Sequence, residues 1–515
     1  MFHSSIDVAA ARPLAPGRVR PAILAALAIC IAALVLRCGQ FGNALAGLDE
    51  QFYLLVGERM WAGALPYVDL WDRKPLGLFV LFAGIAALPL DGVLAAQLVA
   101  TGFAAATALL VAAIARRWTG WGPATMAGIF YLAGLNELWG ETTQTPVFYN
   151  ALVAGAALLT LGGRGAAAMA LIGVAIQIKT NALFQGAFLG VWLLAVEWRR
   201  GGPVVRRALL YALLGIAPTL LAFAAYAAIG QGAAWWQANV LSILAKGTPR
   251  DAAAVRSFWE SWFLFTPCTM LALIGLRRWT SRFTRLPEGV RFTLGWMAVS
   301  AIDFAAIGGF YPHYAIPLLL ACTPAVAQAF AIRRWGGLLF ALTLAWPLFH
   351  AIVANPRIAA KERGYAARVT GAIPAAVREQ CLFVYEGPVA YYRLAHACNL
   401  TRYVFTAHLS SGREAASLGV HPGAEIDRIM AQGPAAVITI ANSTWPDRNP
   451  AMERRLAGWL SRDYTVTARL PHRAYAPDER LLVWQRKERA DGPVVRGVHD
   501  RPAVRSPAAA HGDRI

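Results

Sequence analysis

The sequence predicts a mainly α-helical, polytopic membrane protein. It would have a bundle of about eleven transmembrane helices, juxtamembrane helices in the first external loop, and a small α/β domain at the C-terminus. Three observations predict this. The 515 residues are 57% hydrophobic and 15% charged, with a mean hydropathy of +0.46, whereas soluble globular chains carry about 25% charged residues. Apolar runs of near-spanning length recur through the first 353 residues, as repeated helical crossings require. Beyond residue 353 the texture changes to short β-like runs, at 381–385, 435–440 and 480–485, alternating with helix-like stretches.

The runs at 21–38, 93–115, 123–139, 148–162, 166–178, 180–197, 208–229, 257–276, 292–308, 315–332 and 338–353 are the candidate crossings. A twelfth, 76–90, is placed by charge. If it does not cross, 17 Lys and Arg of residues 1–353 face inward and 8 face outward: Arg37, Arg59, Arg73, Lys74, Lys179, Lys246, Arg250 and Arg256. If it crosses, the later basic clusters all flip outward, against the positive-inside rule. Residues 76–90 are therefore expected to lie at the outer interface or to dip in part way. Arg12, Arg18 and Arg20 precede the first run with no convincing cleavage site after it, which reads as a retained signal anchor. The resulting organisation is a cytoplasmic segment 1–20, a transmembrane domain 21–353, an external α/β domain 354–490 and a disordered tail 491–515 rich in Pro, Arg, Ala and Gly.

The net charge of +19 does not indicate nucleic acid. Of 48 Lys and Arg, 25 sit in the first 353 residues, mostly in short clusters between apolar runs, and the lipid bilayer accounts for that pattern. Cys30, Cys38, Cys268 and Cys322 lie in or beside apolar helices as small hydrophobes. Cys381 and Cys398 lie in the polar C-terminal part, either as a disulfide, if that part is outside the cytoplasm, or as two free thiols. The chain holds no phosphate-binding loop of the Walker type, no G-x-G-x-x-G after a strand, no C-x-x-C, no H-E-x-x-H and no zinc-like spacing of ligands.

Charge gathers instead in one short external loop. Residues 1–353 contain fourteen Asp and Glu, and six of them, Asp49, Glu50, Glu58, Asp69, Asp72 and Asp91, fall between 49 and 91. Residues 50–62 fit an interfacial helix with Phe52, Leu55, Val56 and Met60 on its apolar face, and with Glu58 and Arg59 near water. The turn Gly63…Pro66-Tyr67 and then Arg73-Lys74-Pro75 follow. An acidic pair alone can simply keep a loop wet; the pair, the helix, the turn and the cations together point to chemistry.

Three other places carry polar groups at the outer ends of helices. Lys179, in AIQIKTNALFQ, is either a functional cation or a snorkelling lysine at a helix end. Trp139-Gly140-Glu141-Thr142 opens the polar run ETTQTP, and Gly308-Gly309-Phe310-Tyr311-Pro312-His313-Tyr314 forms another external loop. His313 fits an interfacial hydrogen-bonding residue as well as a ligand. Asp303, within 292–308, either packs a helix or lines a polar cavity.

One span, Asp49-Glu50, an aromatic-rich juxtamembrane helix, G-x-x-P-Y at 63–67 and Lys74-Pro75 opening an apolar run resemble the GT-C glycosyltransferases. The likeness is to the bacterial branch of the protein O-mannosyltransferase and aminoarabinose transferase superfamily (glycosyltransferase family 39-like). The Tyr311-Pro312-His313-Tyr314 loop and the lysine at an outer helix junction also recur there. It covers roughly residues 20–355 and is most specific over 47–80. The resemblance implies a transferase that moves a sugar from a polyprenyl-phosphate donor to an envelope glycan, lipid or protein acceptor at the periplasmic face of the bacterial inner membrane. Asp49 would be the general base and Glu50 would position it or share a hydrogen bond. Lys74, with Arg73 and Lys179, would hold the donor phosphate. Tyr53, Arg59, Tyr67, Asp72, Glu141, His313 and Tyr314 would line the cavity. Two departures, Gln51-Phe52 where aminoarabinose transferases have an arginine and Arg73 where they have a glutamate, put aminoarabinose as the substrate in doubt. The resemblance prescribes no cofactor and leaves a divalent metal open.

The chemistry agrees. Phosphate is already a good leaving group, so cations where its charge grows and one base for the acceptor suffice. One base suggests a single inverting displacement. The alternatives are a transporter or flippase of lipid-linked saccharides, which would place its charges near the midplane in repeated halves, and a catalytically silent membrane protein whose external domain binds a partner.

Overall fold

A computed structural model of the chain describes residues 16–246, 252–281, 283–473 and 476–487. The expected tail, 491–515, lies outside these residues, as do residues 1–15, Arg250 and Arg282. The chain divides into two compact units. The first comprises Met1–Gly39, Leu98–Thr219 and Pro249–Pro356; the second comprises Gln40–Gln97, Leu220–Thr248 and Arg357–Ile515.

All eleven candidate runs are helical. Among the described residues, seven helices are long and apolar enough to cross a membrane. Four others are shorter or less uniformly apolar: Trp121–Leu135, Thr145–Leu161, Gly165–Ile176 and Ala182–Arg199. The 12-residue Gly165–Ile176 rises about 18 Å, short of a hydrocarbon core of about 30 Å.

In the first unit the innermost helix is Ile316–Phe330, in which every residue but Leu318 is buried. It packs on Ala252–Thr280, Glu288–Ile307 and Trp121–Leu135. Small residues let these backbones approach: a Cβ at Gly275 would collide with the Ala325 carbonyl. The first helix, α1 (Pro16–Arg37), turns Ile23, Leu24, Leu27, Ile31 and Leu34 outward, the arrangement a lipid-facing surface needs. Its last residue is a structural tie. Arg37, 1% exposed, donates Nη1 to the Gly140 carbonyl at 2.5 Å, Nη2 to the Thr142 carbonyl at 2.6 Å and Nε to Thr101 Oγ1 at 3.2 Å. The external cation counted from sequence is thus spent on backbone carbonyls of the 136–142 loop.

The second unit contains the first loop. Here α2 (Leu48–Trp61) and α3 (Leu76–Ala86) pack closely. A Cβ at Gly57 would come within 2.5 Å of the Phe82 carbonyl carbon, so the close approach depends on glycine. Helix α3 has 11 residues, about 16 Å, too short to cross by itself. Helix α2 differs from the expected interfacial helix with one wet face. Glu50, Gln51, Phe52, Tyr53, Leu54, Leu55, Val56, Gly57 and Arg59 are all buried. Arg59, expected near water, is 2% exposed and donates Nη2 to the Ala397 carbonyl at 2.6 Å. Glu58 is paired with Arg393 through both carboxylate oxygens at 2.6 Å. The reason is that C-terminal residues cover α2: the Ala390 N–H donates to Gln51 Oε1 at 3.1 Å, and the Trp71 N–H to the Arg402 carbonyl at 2.8 Å.

The C-terminal part carries a four-stranded mixed sheet of β1 (Leu382–Val384), β2 (Ala436–Ala441), β3 (Tyr464–Arg473) and β4 (Ala476–Arg486), in the order β1-β2-β4-β3. Strands β1 and β2 are parallel and the other pairs antiparallel. The three β-like runs of the sequence are β1, β2 and β4. Strand β3, with Arg469, His472 and Arg473 interrupting its apolar residues, gave no such run and is held by its antiparallel partner. The helix Pro450–Asp463 starts on Asn449, whose side chain accepts the Met452 N–H, with proline at the first helical position. Cys381 and Cys398 are joined as a disulfide.

Two outcomes follow from these ties. Replacing Arg37 with Met strands buried carbonyls, each at a cost of about 1–3 kcal/mol. The full chain in detergent should show a clearly lower melting temperature, and Arg37→Lys, lacking the planar fork, should rescue it only in part. Closing a loop of this length is worth about 3 kcal/mol. The Cys381→Ala, Cys398→Ala double variant should therefore be nicked by protease faster within residues 381–487, and an unchanged nicking rate would deny the bond a stabilising role.

Candidate active site

In the second unit the first loop is built as a rigid turn. Tyr67 takes a left-handed backbone with φ of +70°, which costs energy for a bulky residue and marks an over-determined segment. Its N–H donates to the Leu70 carbonyl at 2.7 Å, and the Leu65 N–H to Asp69 Oδ2 at 2.7 Å. The Tyr67 ring is buried against Phe79 and Tyr226, and its hydroxyl donates to the Lys74 carbonyl at 2.9 Å. Burial raises this phenol well above its ordinary pKa, so it remains a donor. Asp72, 5% exposed, accepts the Lys74 N–H at 2.9 Å. Pro75 holds Lys74 out of the helix and starts α3.

This turn carries the cations. Lys74 Nζ lies 3.7 Å from Asp72 Oδ1 and 5.5 Å from the centre of the buried Tyr53 ring. Arg73 is held differently. Its Nη1 donates to Glu414 Oε1 at 3.1 Å, Nη2 donates to Glu414 Oε2, and Nη2 also donates to Ser417 Oγ at 2.8 Å. Lys246 Nζ is 3.0 Å from Glu414 Oε1. Burial alone would raise the Glu414 carboxyl, but hydrogen bonds from Arg73 and the charge of Lys246 hold it well below the usual carboxylate range. Asp72 behaves the same way: burial opposes its ionisation, and the charges of Lys74 and Arg73 bring it below its ordinary value. His408, 3% exposed and edge-on to Trp71 at 4.8 Å between centroids, is pushed down to about 4 by burial and is neutral at neutral pH.

The acidic pair opens α2, where the helix dipole favours negative charge. The two carboxylates differ. Glu50 is 4% exposed and accepts Gln97 Nε2 at 3.0 Å. Asp49 is half-buried, and among the described residues its side chain has no hydrogen-bonding or ionic partner.

The remaining predicted residues lie in the first unit and form a group of their own. Half-buried Lys179 places Nζ 4.6 Å above the Tyr314 ring, a cation–π contact. Nearby in the chain, Asn181 donates to Asp303 Oδ1 at 2.7 Å. His313 stacks on Tyr311 at 6.0 Å and lies 4.4 Å from Tyr314 and 6.3 Å from Trp139. Trp139 and Phe310 both take left-handed backbones, φ +61° and +50°. Glu141 is half-buried just beyond the π-helical turn Asn136–Gly140. Among the described residues no three His, Cys, Asp or Glu side chains gather closely enough to hold a metal ion.

Sequence reasoning missed Glu414 and His408, which lie more than 300 residues from the loop they touch and belong to no local motif. Lys246 had a signal: it was one of the eight cations in the first 353 residues that the charge count assigned to the outer side.

Neither a protein-family model nor a curated protein sequence matches the chain. Solved structures do. The aminoarabinose transferase ArnT from Cupriavidus metallidurans, bound to undecaprenyl phosphate, superposes with a TM-score of 0.59 over 91% of this chain and 98% of its own, at 15% identity. The same protein in the apo state gives 0.60 over 89% and 97%, also at 15% identity. At that identity the likeness is one of architecture, and it establishes that the chain is built on the GT-C fold.

Proposed function

We propose that the protein is a membrane glycosyltransferase that moves a sugar from a polyprenyl-phosphate donor to an acceptor hydroxyl or amine. The observation that carries this reading is the pairing, on one GT-C first loop, of a helix N-terminal carboxylate that has no side-chain partner among the described residues with a cluster of cations. Asp49 is the base and Lys74 the cation that meets the phosphate. Of the cations expected to hold phosphate, Arg73 is already engaged by Glu414, whereas Lys74 has a single carboxylate at 3.7 Å.

The reaction is a single displacement with inversion. The acceptor oxygen or nitrogen attacks the anomeric carbon, its proton passes to Asp49, and the bond from the anomeric carbon to the phosphate oxygen breaks. The electron pair leaves on the phosphate, where Lys74 stabilises the growing charge in a site partly shielded from water. Glu50, fixed by Gln97, holds the start of α2 in place. That ArnT was solved with undecaprenyl phosphate supports a lipid donor of this class. The disulfide fits an oxidising compartment and supports a C-terminal domain on the periplasmic side of a bacterial inner membrane, with envelope glycan, lipid or protein as acceptor. Charge concentrated in one loop favours this over a flippase.

Asp49→Asn should leave expression, elution and melting temperature as in the wild type and lower transfer by about 10²–10⁴-fold. In lipid extracts of cells carrying only this variant, a polyprenyl-phosphate sugar should accumulate as it does in a deletion strain. Accumulation in the deletion alone would remove Asp49 as the base. Lys74→Ala should weaken donor binding and slow turnover together, because the phosphate is bound in the ground state and gains charge in the transition state. Unchanged kinetics would remove Lys74 from the site.

A further inference from the structure

The first loop is gripped by a carboxylate from the C-terminal part of the chain, and the grip falls on the cations. Glu414 Oε1 takes Arg73 Nη1 at 3.1 Å and Lys246 Nζ at 3.0 Å, while Oε2 takes Arg73 Nη2. Ser417 Oγ, one turn further on, accepts from the same Arg73 nitrogen at 2.8 Å and donates to the Glu414 carbonyl at 2.7 Å. Glu414 is only 13% exposed in its side chain. A surface ion pair of ordinary kind would be worth little; a mostly buried carboxylate shared by two cations, beside a third, sets the local field.

The charges can be counted. Arg73, Lys74 and Lys246 are three cations, and Asp72 and Glu414 are two carboxylates. His408 faces the same cluster and is neutral at neutral pH. The cluster is left with one net positive charge. The donor, a phosphodiester, carries one negative charge. The product polyprenyl phosphate is a monoester with a second ionisation near pH 6 and carries close to two. A cluster with more positive charge would hold the product more firmly than the donor and would be slow to release it.

We propose that Glu414 is a positioning residue of the donor-phosphate site. It holds Arg73 and Lys246 away from the phosphate and sets the cluster's net charge, so that the monoester product can leave. This rests on the reading of a polyprenyl-phosphate donor. It gives the C-terminal domain a part in turnover: the domain supplies the counter-charge for a site on the first loop.

The test uses the full-length protein in nanodiscs and undecaprenyl phosphate as the probe. The wild type should bind it, and Lys74→Ala should lose most of that binding. If the wild type does not bind, or Lys74→Ala binds equally well, the donor reading itself falls and takes the proposal with it. With that control in place, Glu414→Gln should bind undecaprenyl phosphate at least about fivefold more tightly, with a steeper loss on adding salt. Glu414→Asp, keeping the charge, should return to wild-type affinity. In turnover, Glu414→Gln should lower KM and kcat together. Unchanged or weaker binding by Glu414→Gln, with the Lys74 control intact, overturns the proposal. If Glu414→Gln does not fold, Lys246→Met removes one cation from the same cluster and should weaken binding several-fold; unchanged affinity there overturns the proposal equally.

Discussion

A charged side chain withdrawn from water needs a counter-charge or a set of hydrogen bonds, because leaving it unpaired costs more than most contacts return. The second unit is organised around that requirement. Glu58 is met by Arg393, Arg59 by a backbone carbonyl, Glu50 by Gln97 and Arg73 by Glu414. Each tie takes a charge out of play and fixes the segment that bears it. Asp49 and Lys74 are treated differently. One has no side-chain partner among the described residues, and the other has a single carboxylate at 3.7 Å. A loop in which most charges are satisfied while one carboxylate and one cation are spared is suited to the proposed role of receiving a reacting group.

The C-terminal residues provide most of these satisfying partners. Ala390, Arg393, Ala397, Arg402, His408, Glu414 and Ser417 all touch the first loop. Their reach explains why α2 is buried nearly all round instead of lying with one face in water. The small sheet and the disulfide, in turn, stiffen the segment from which these residues project. The strain of the left-handed Tyr67 is carried by other packing in the second unit, through Phe79, Tyr226 and the Lys74 carbonyl.

Much of this architecture was legible in the sequence because it is written locally. Apolar runs reveal helices, the bias of Lys and Arg kept 76–90 from being read as a crossing, and three of the four strands announce themselves by β-branched and aromatic residues. Asp49, Glu50 and Lys74 drew attention as candidates, since one loop gathers six of the fourteen carboxylates in the first 353 residues. What was hidden depends on contacts distant in the chain. Nothing near Glu414 signals that it meets Arg73, 341 positions earlier. Nothing near Arg59 signals a lid of C-terminal residues, so it was expected near water. Strand β3 has too many basic residues to read as a strand, and exists because β4 pairs with it.

The proposed chemistry depends above all on the first loop receiving a polyprenyl phosphate at Lys74. The most direct measurement is a cryo-electron-microscopy structure of the full chain in nanodiscs with undecaprenyl phosphate added. Phosphate density is expected within hydrogen-bonding distance of Lys74 Nζ, with Arg73 still held by Glu414. Lipid phosphate bound elsewhere, with Lys74 still on Asp72, would contradict it.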